Sequence, residues 1–294
     1  MASKKTNPPP KGRAILVASS KGGAGKTLWS RGYLDTMRTR GYTVAAYDGD
    51  GQVGQLIQNE GLRDNHGHID PHQLATSGVT AFDIRDEHAR DTLMNAVEDA
   101  RAQSISILLF DLPGGSIDTI AHVIDERDPT SLLRAYRDHG YMPTIVVPIT
   151  PMIASIRAAK QAAERFGEVA NIIAVKNAGF AAETEFPLYD GTTDATGTAI
   201  GGKAKAAVER VGGQTIVMPR FRMYELSRMD MESMSIAEAV NDRRFGLAER
   251  QRIAIWRRTM DQEIASASAH LGMEAGAKTA KNETRNNLIP DEDV

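Results

Sequence analysis

The stretch RAILVASSKGGAGKTLWS, residues 13–30, runs an apolar segment straight into three glycines and two lysines and then into a helix-forming sequence. A strand that turns through a glycine loop into a helix is a severe constraint on topology. It places backbone N–H groups and the positive end of a helix at one point, which is where an anion binds. The phosphate-loop pattern G-x-x-x-x-G-K-[ST] is met at Gly25, Lys26 and Thr27, with Ser20 in the place of its first glycine. Lys21 is a second lysine that the pattern does not require.

Five further apolar runs follow, TVAAYD, SILLFD, PTIVVPI, NIIAVKN and QTIVMP, each bounded by turn residues. Runs without polar alternation suit strands buried on both faces of a parallel sheet. Helical patterns lie between them, at 27–40, 89–103, 116–139 in pieces, 151–166, 201–211 and 247–268. The alternation predicts an α/β fold, a doubly wound, mainly parallel sheet with helices on both faces, of the P-loop NTPase type. A chain of 294 residues, 41% of them apolar, suffices for one such domain, expected over 13–272. Residues 1–12 read as a disordered arm and 273–294 as a disordered tail. Two polar stretches, 59–88 and 178–200, interrupt the rhythm and read as functional loops or insertions.

Bulk properties narrow the function. A net charge of −3 and a pI near 6.2 argue against a chain that coats nucleic acid with its whole surface, while leaving room for a local basic patch. With no cysteine, disulfides, thiolate zinc sites and cysteine-held iron–sulfur clusters are excluded. No run approaches the roughly 18 apolar residues of a membrane span. A cytoplasmic location is expected, without membrane attachment; NNLIPDEDV is acidic and Pro-broken rather than amphipathic.

Gly22, Gly23 and Gly25 allow the tight turn, and Lys26 is expected to face the β and γ phosphates. Thr27 offers a hydroxyl to Mg²⁺, and Asp111, at the end of SILLFD, is its expected carboxylate partner. In AAYDGDGQ, Asp50 is the choice to orient or deprotonate an attacking water, with Asp48 nearer the strand and structural. Asn177, at the end of NIIAVKN, has two readings: an amide that recognises the base, or a turn former.

These residues resemble the deviant-Walker-A ATPases typified by ParA and MinD. KGGAGKT is similar to that family's K-G-G-x-G-K-[ST], DGDGQ to its D-x-D-P-Q, and FDLPGG to its Walker B segment; IVMPRFRMYE resembles the ParA branch's I-P-R segment. The resemblance spans most of 13–245. It implies ATP and Mg²⁺ as ligands, with Gly22, Gly23, Ala24, Gly25, Lys26, Thr27 and Leu28 around the phosphates and Pro219 and Arg220 against adenine. It implies an ATP-bound homodimer in which Lys21 reaches the partner's phosphates, so that Lys21, Lys26 and Asp50 form the catalytic set. Non-specific DNA, nucleoid association and a ParB-like or other protein that stimulates slow hydrolysis are implied as well. The chain departs from the pattern at Leu28, where a second Thr or Ser is usual, at Gly51, in place of Pro, and at Glu225, one residue closer to Pro-Arg.

Residues 220–258 hold nine Arg and six Asp or Glu, a local excess of three positive charges. Arg243, Arg244, Arg250, Arg252, Arg257 and Arg258 are candidates for DNA phosphate contacts; the alternative is a solvated helix face with Glu249 and Asp261 pairing. Ile253, Trp256, Met260 and Ile264 recur at helical spacing and are expected in the core. His66, His68 and His72, with Asp70, match no zinc spacing and read as a solvated loop. Three functions remain: a ParA-like partition or positioning ATPase, a metabolic P-loop enzyme of the dethiobiotin-synthetase-like class, and a regulatory ATP-binding module of plasmid maintenance or conjugation.

Overall fold

The structure, a computed structural model, describes residues 12–125 and 127–273. The expected arm and tail lie outside them except at their inner edges, where Gly12 opens the first strand and Met273 is buried. The nine strands among the described residues are β1 (Gly12–Ser19), β2 (Val44–Asp48), β3 (Thr80–Ala81), β4 (Ile107–Gly114), β5 (Tyr141–Ile149), β6 (Asn171–Asn177), β7 (Thr192–Thr193), β8 (Ala199–Ile200) and β9 (Gln214–Met218). Seven form one sheet in the order β3-β2-β4-β1-β5-β6-β9, and every pairing in it is parallel.

All six apolar runs are strands of this sheet. The seventh, β3, lies inside the 59–88 stretch, and β7 and β8 make a small antiparallel hairpin inside 178–200. Each of these three is two residues long, too short to carry a periodic signal.

Alternate residues of β1, β2, β4, β5 and β6 feed two cores, one on each face. Leu16, Phe110, Ile145 and Ile172 pack on one side with Leu93, Leu133, Ile156 and Val208 of four helices. Ile15, Val17, Leu109, Val146 and Ile173 pack on the other with Trp29, Leu34, Ile253, Trp256 and Met260. On that second face the helix Lys26–Thr39 crosses the long helix Leu247–Ser266 at close range: a Cβ on Gly32 would stand 2.9 Å from Trp256 and 3.0 Å from Met260. Only a residue without a side chain lets these helices approach so far. Ile253, Trp256, Met260 and Ile264 are all buried, as their spacing requires.

Candidate functional site

β1 lies between β4 and β5, and the chain turns towards β2 after it and towards β5 after β4. The carboxyl ends at this reversal form the crevice in which open α/β sheets bind ligands. The glycine loop occupies it. Gly25 caps the helix Lys26–Thr39 with φ of 96°, in the left-handed region, and a Cβ there would fall 2.4 Å from the Asn177 amide nitrogen. The position therefore demands glycine on two counts.

Lys26 is buried, and its Nζ donates to Ser19 Oγ at 3.0 Å. Burial pulls its pKa below the ordinary lysine value, against the opposing pull of the Asp111 and Asp50 carboxylates. Asp111, also buried, accepts the Thr27 hydroxyl at 2.7 Å and the Ser30 hydroxyl at 2.9 Å. Its carboxyl is pushed up to about 7, first by burial and then by Asp48, while the two hydroxyls and Lys26 act the other way. Ser30 lies outside the phosphate-loop motif. Its spacing of three from Thr27 puts both on one helix face, so helical geometry would have found it. It supplies a second hydroxyl beside Leu28, where the family pattern has its own.

Asp48 and Asp50 have different surroundings. Asp48 is buried and accepts the backbone amides of Asp50 at 3.1 Å and Ile57 at 3.0 Å. Asp50 is half-exposed, close enough to Lys26 to act on its charge, and bound through Oδ1 to Arg85. Lys21 is exposed, without a side-chain partner among the described residues.

Asn177 sits at the end of β6 and donates from Nδ2 to the Ala24 carbonyl at 3.0 Å, while its Oδ1 accepts the Gly179 amide at 2.9 Å. Both ends of the amide are thus engaged with backbone, one of them with the glycine loop itself. The Pro219 carbonyl accepts the Trp256 indole N–H at 2.8 Å, and Phe221 packs on Trp256 at 4.8 Å. Arg220 is exposed on the rim of a pocket of about 210 Å³. That pocket is also lined by Glu225, which is buried and bound by Arg252 at 2.6 Å.

The arginine cluster divides. Arg257 makes a two-point ion pair with the buried Asp35, at 2.6 and 2.9 Å. Arg252 holds Glu225, Arg244 pairs with Glu232 and Asp242, and Arg250 donates to the Phe245 carbonyl. Glu249 and Asp261 pair with Arg228 and Arg40, both outside the long helix. Arg243 and Arg258 are exposed and carry no such partner among the described residues. In the histidine loop, Asp64 accepts the amides of His66 and His68 and Asp70 that of His72, so these acids shape turns. No helix among the described residues is long and apolar enough to cross a membrane.

No protein-family model and no curated protein matches the chain. Solved structures do. The septum site-determining protein MinD of Pyrococcus horikoshii, complexed with Mg-ADP, is 16% identical with a TM-score of 0.50, over 88% of this chain and 98% of that one. MinD of Aquifex aeolicus is 17% identical over 85% and 97% of the two chains, with a TM-score of 0.44. A McdA–ATP complex from Cyanothece is 11% identical over 92% and 100%, with a TM-score of 0.46. Seven parallel strands, helices on both faces and a glycine loop at the end of β1 give this chain the P-loop α/β fold of MinD, the fold expected from its resemblance to the ParA/MinD ATPases.

Proposed function

We propose that the chain is an ATPase of the ParA/MinD type that binds ATP with Mg²⁺ at residues 20–28 and dimerises in the ATP-bound state. The observation that carries this reading is the cluster at the end of β1, where buried Lys26 stands near a buried Asp111 that holds the Thr27 and Ser30 hydroxyls. The donor set fits the ligand: hydroxyl and carboxylate oxygens suit Mg²⁺. A Cβ on Gly22 or Gly23 would meet nothing within 4 Å, which leaves room for phosphate oxygens above the loop. The Mg-ADP of the Pyrococcus horikoshii protein supports the same ligand class.

Thr27 and Asp111 would hold the cation, which when bound neutralises charge on the phosphates. Lys26, stripped of water by burial, sets its positive charge against the β and γ phosphates, and the loop N–H groups from Gly22 to Leu28 bind the phosphate oxygens. Asp50 orients the attacking water. Lys21 reaches the phosphates of a second copy, so two lysines serve two sites. Pro219 and Arg220 lie against the adenine. The dimer binds non-specific DNA through the free arginines Arg243 and Arg258, and a ParB-like or other adaptor protein stimulates a slow hydrolysis. The biological role is partition of DNA or positioning of a cargo.

Steady-state hydrolysis of ATP, with and without DNA and with a panel of carboxylate and amine substrates, tests the reading. Slow turnover that rises with DNA is the expected result. ATP-dependent modification of a substrate would make the chain a metabolic enzyme, and binding without turnover would make it a regulatory module.

A further inference from the structure

The 59–88 stretch has no part in the function proposed above, yet its last residues lie along the segment that carries Asp50. The two are zipped together through their backbones. β3 pairs with Tyr47 and Asp48, the Phe82 amide donates to the Asp48 carbonyl at 2.9 Å, and the Gly51 amide to the Phe82 carbonyl at 3.0 Å. The Ile84 amide adds a bond to the Gly49 carbonyl at 3.1 Å. Phe82 and Ile84 are buried in the core. Asp83 bridges Asp50 and then opens a tight turn, closed by the Asp86 amide on the Asp83 carbonyl at 3.0 Å, which brings Arg85 back towards Asp50.

There Arg85 Nη2 donates to Asp50 Oδ1. Asp83 Oδ1 accepts the backbone amide of Arg85 at 2.9 Å and its Nη1 at 3.4 Å, so the guanidinium is aimed from both ends. Asp50 Oδ2 has no partner among the described residues.

The geometry points to Arg85 as a positioning residue for the Asp50 carboxylate, fixing Oδ1 and leaving Oδ2 to hold the attacking water. This rests on the role proposed for Asp50. A half-exposed carboxylate turns freely about its side-chain bonds, and a charge-assisted bond from a planar guanidinium selects one orientation. The pair is open to solvent, with side chains 60% and 43% exposed, so it adds little to the stability of the fold. Its consequence is orientation, to which transfer rates are sensitive on the scale of an ångström.

Turnover at saturating ATP and Mg²⁺, KM for ATP and melting temperature are to be measured on the full chain and on Arg85→Ala, Arg85→Lys, Asp50→Ala and the double alanine variant. Arg85→Ala is expected to lower kcat about tenfold, with KM and melting temperature unchanged. Arg85→Lys should recover part of the loss, and the double variant should be no slower than Asp50→Ala, because Arg85 acts through Asp50. An Arg85→Ala variant that turns over as fast as the parent, or faster, overturns the inference, as does a loss of rate matched by a loss of ATP affinity or of stability. If Asp50→Ala is inactive while Arg85→Ala is normal, this inference alone fails. If Asp50→Ala turns over normally, the role of Asp50 fails first and takes the inference with it.

Discussion

The side-chain amide of Asn177 donates to the carbonyl of Ala24 across 153 residues of sequence, so β6 holds the glycine loop in place. Asn177→Ala would leave that buried carbonyl without its donor and loosen the loop. One such bond is worth about 1 kcal/mol or somewhat more, and nucleotide affinity is expected to fall by roughly tenfold. The fall should be equal for ATP and GTP, measured by titration calorimetry, since the loop contacts phosphates. A loss confined to ATP would return Asn177 to base recognition.

Lys21→Ala separates three roles for the exposed lysine. The proposed dimer requires that the variant still binds ATP as a monomer but no longer dimerises with it, because two sets of phosphates would face each other without their cations in trans. Light scattering with a non-hydrolysable ATP analogue reads this directly. A variant that dimerises normally, or a parent chain that stays monomeric under ATP, would refute the paired-site mechanism.

Arg257 and Arg258 are neighbours in sequence with opposite expected phenotypes. Arg257→Ala leaves the Asp35 carboxylate buried and unpaired, a loss on the order of 3 kcal/mol visible in urea unfolding. Arg258→Ala and Arg243→Ala should leave stability alone. Each should instead reduce the slope of log affinity against log salt by about 1.8 in DNA binding, about 0.9 for the arginine lost from each protomer of the dimer. Equal melting temperatures for all three variants would contradict this division.

Glu60 gives the fold a pH dependence. Burial, partly offset by Arg31 and reinforced by Asp35, pushes its carboxyl from 4.5 up to about 7. Between those values the folded chain retains a proton that the unfolded chain has released, so stability falls as pH rises through this window and levels off above it. The slope contributed is at most about 1.4 kcal/mol per pH unit. Glu60→Gln should flatten it, so that the variant compares better with the parent at pH 8 than at pH 5 in urea unfolding. A difference independent of pH would mean that Glu60 is ionised throughout.

The sheet was legible because its six long strands are apolar on both faces, and Ile15 and Leu16 needed no alternation to be read as strand. Lys26, Thr27 and Asp111 were legible because a motif fixes them. Partners far apart in the chain were not. Nothing local in the sequence links Arg257 to Asp35, 222 residues away, or Arg40 to Asp261, 221 away. In a cluster of arginines that reads as one basic surface, three of six are held in ion pairs and a fourth by a backbone carbonyl. β3 and Arg85 carry no local signal for a related reason: a two-residue edge strand gains its identity from the β2 backbone beside it rather than from its own residues.

The seat of the helix Lys26–Thr39 against Trp256 and Met260 also bears on how the chain is made. The helix that carries Lys26 and Thr27 is covered by residues synthesised more than 220 positions later. β1, likewise, is flanked by strands that begin at Ile107 and Tyr141. Contacts of such long range form late and slowly. A nascent chain halted before the long helix carries every residue of the glycine loop and still lacks the surface against which that loop's helix is set.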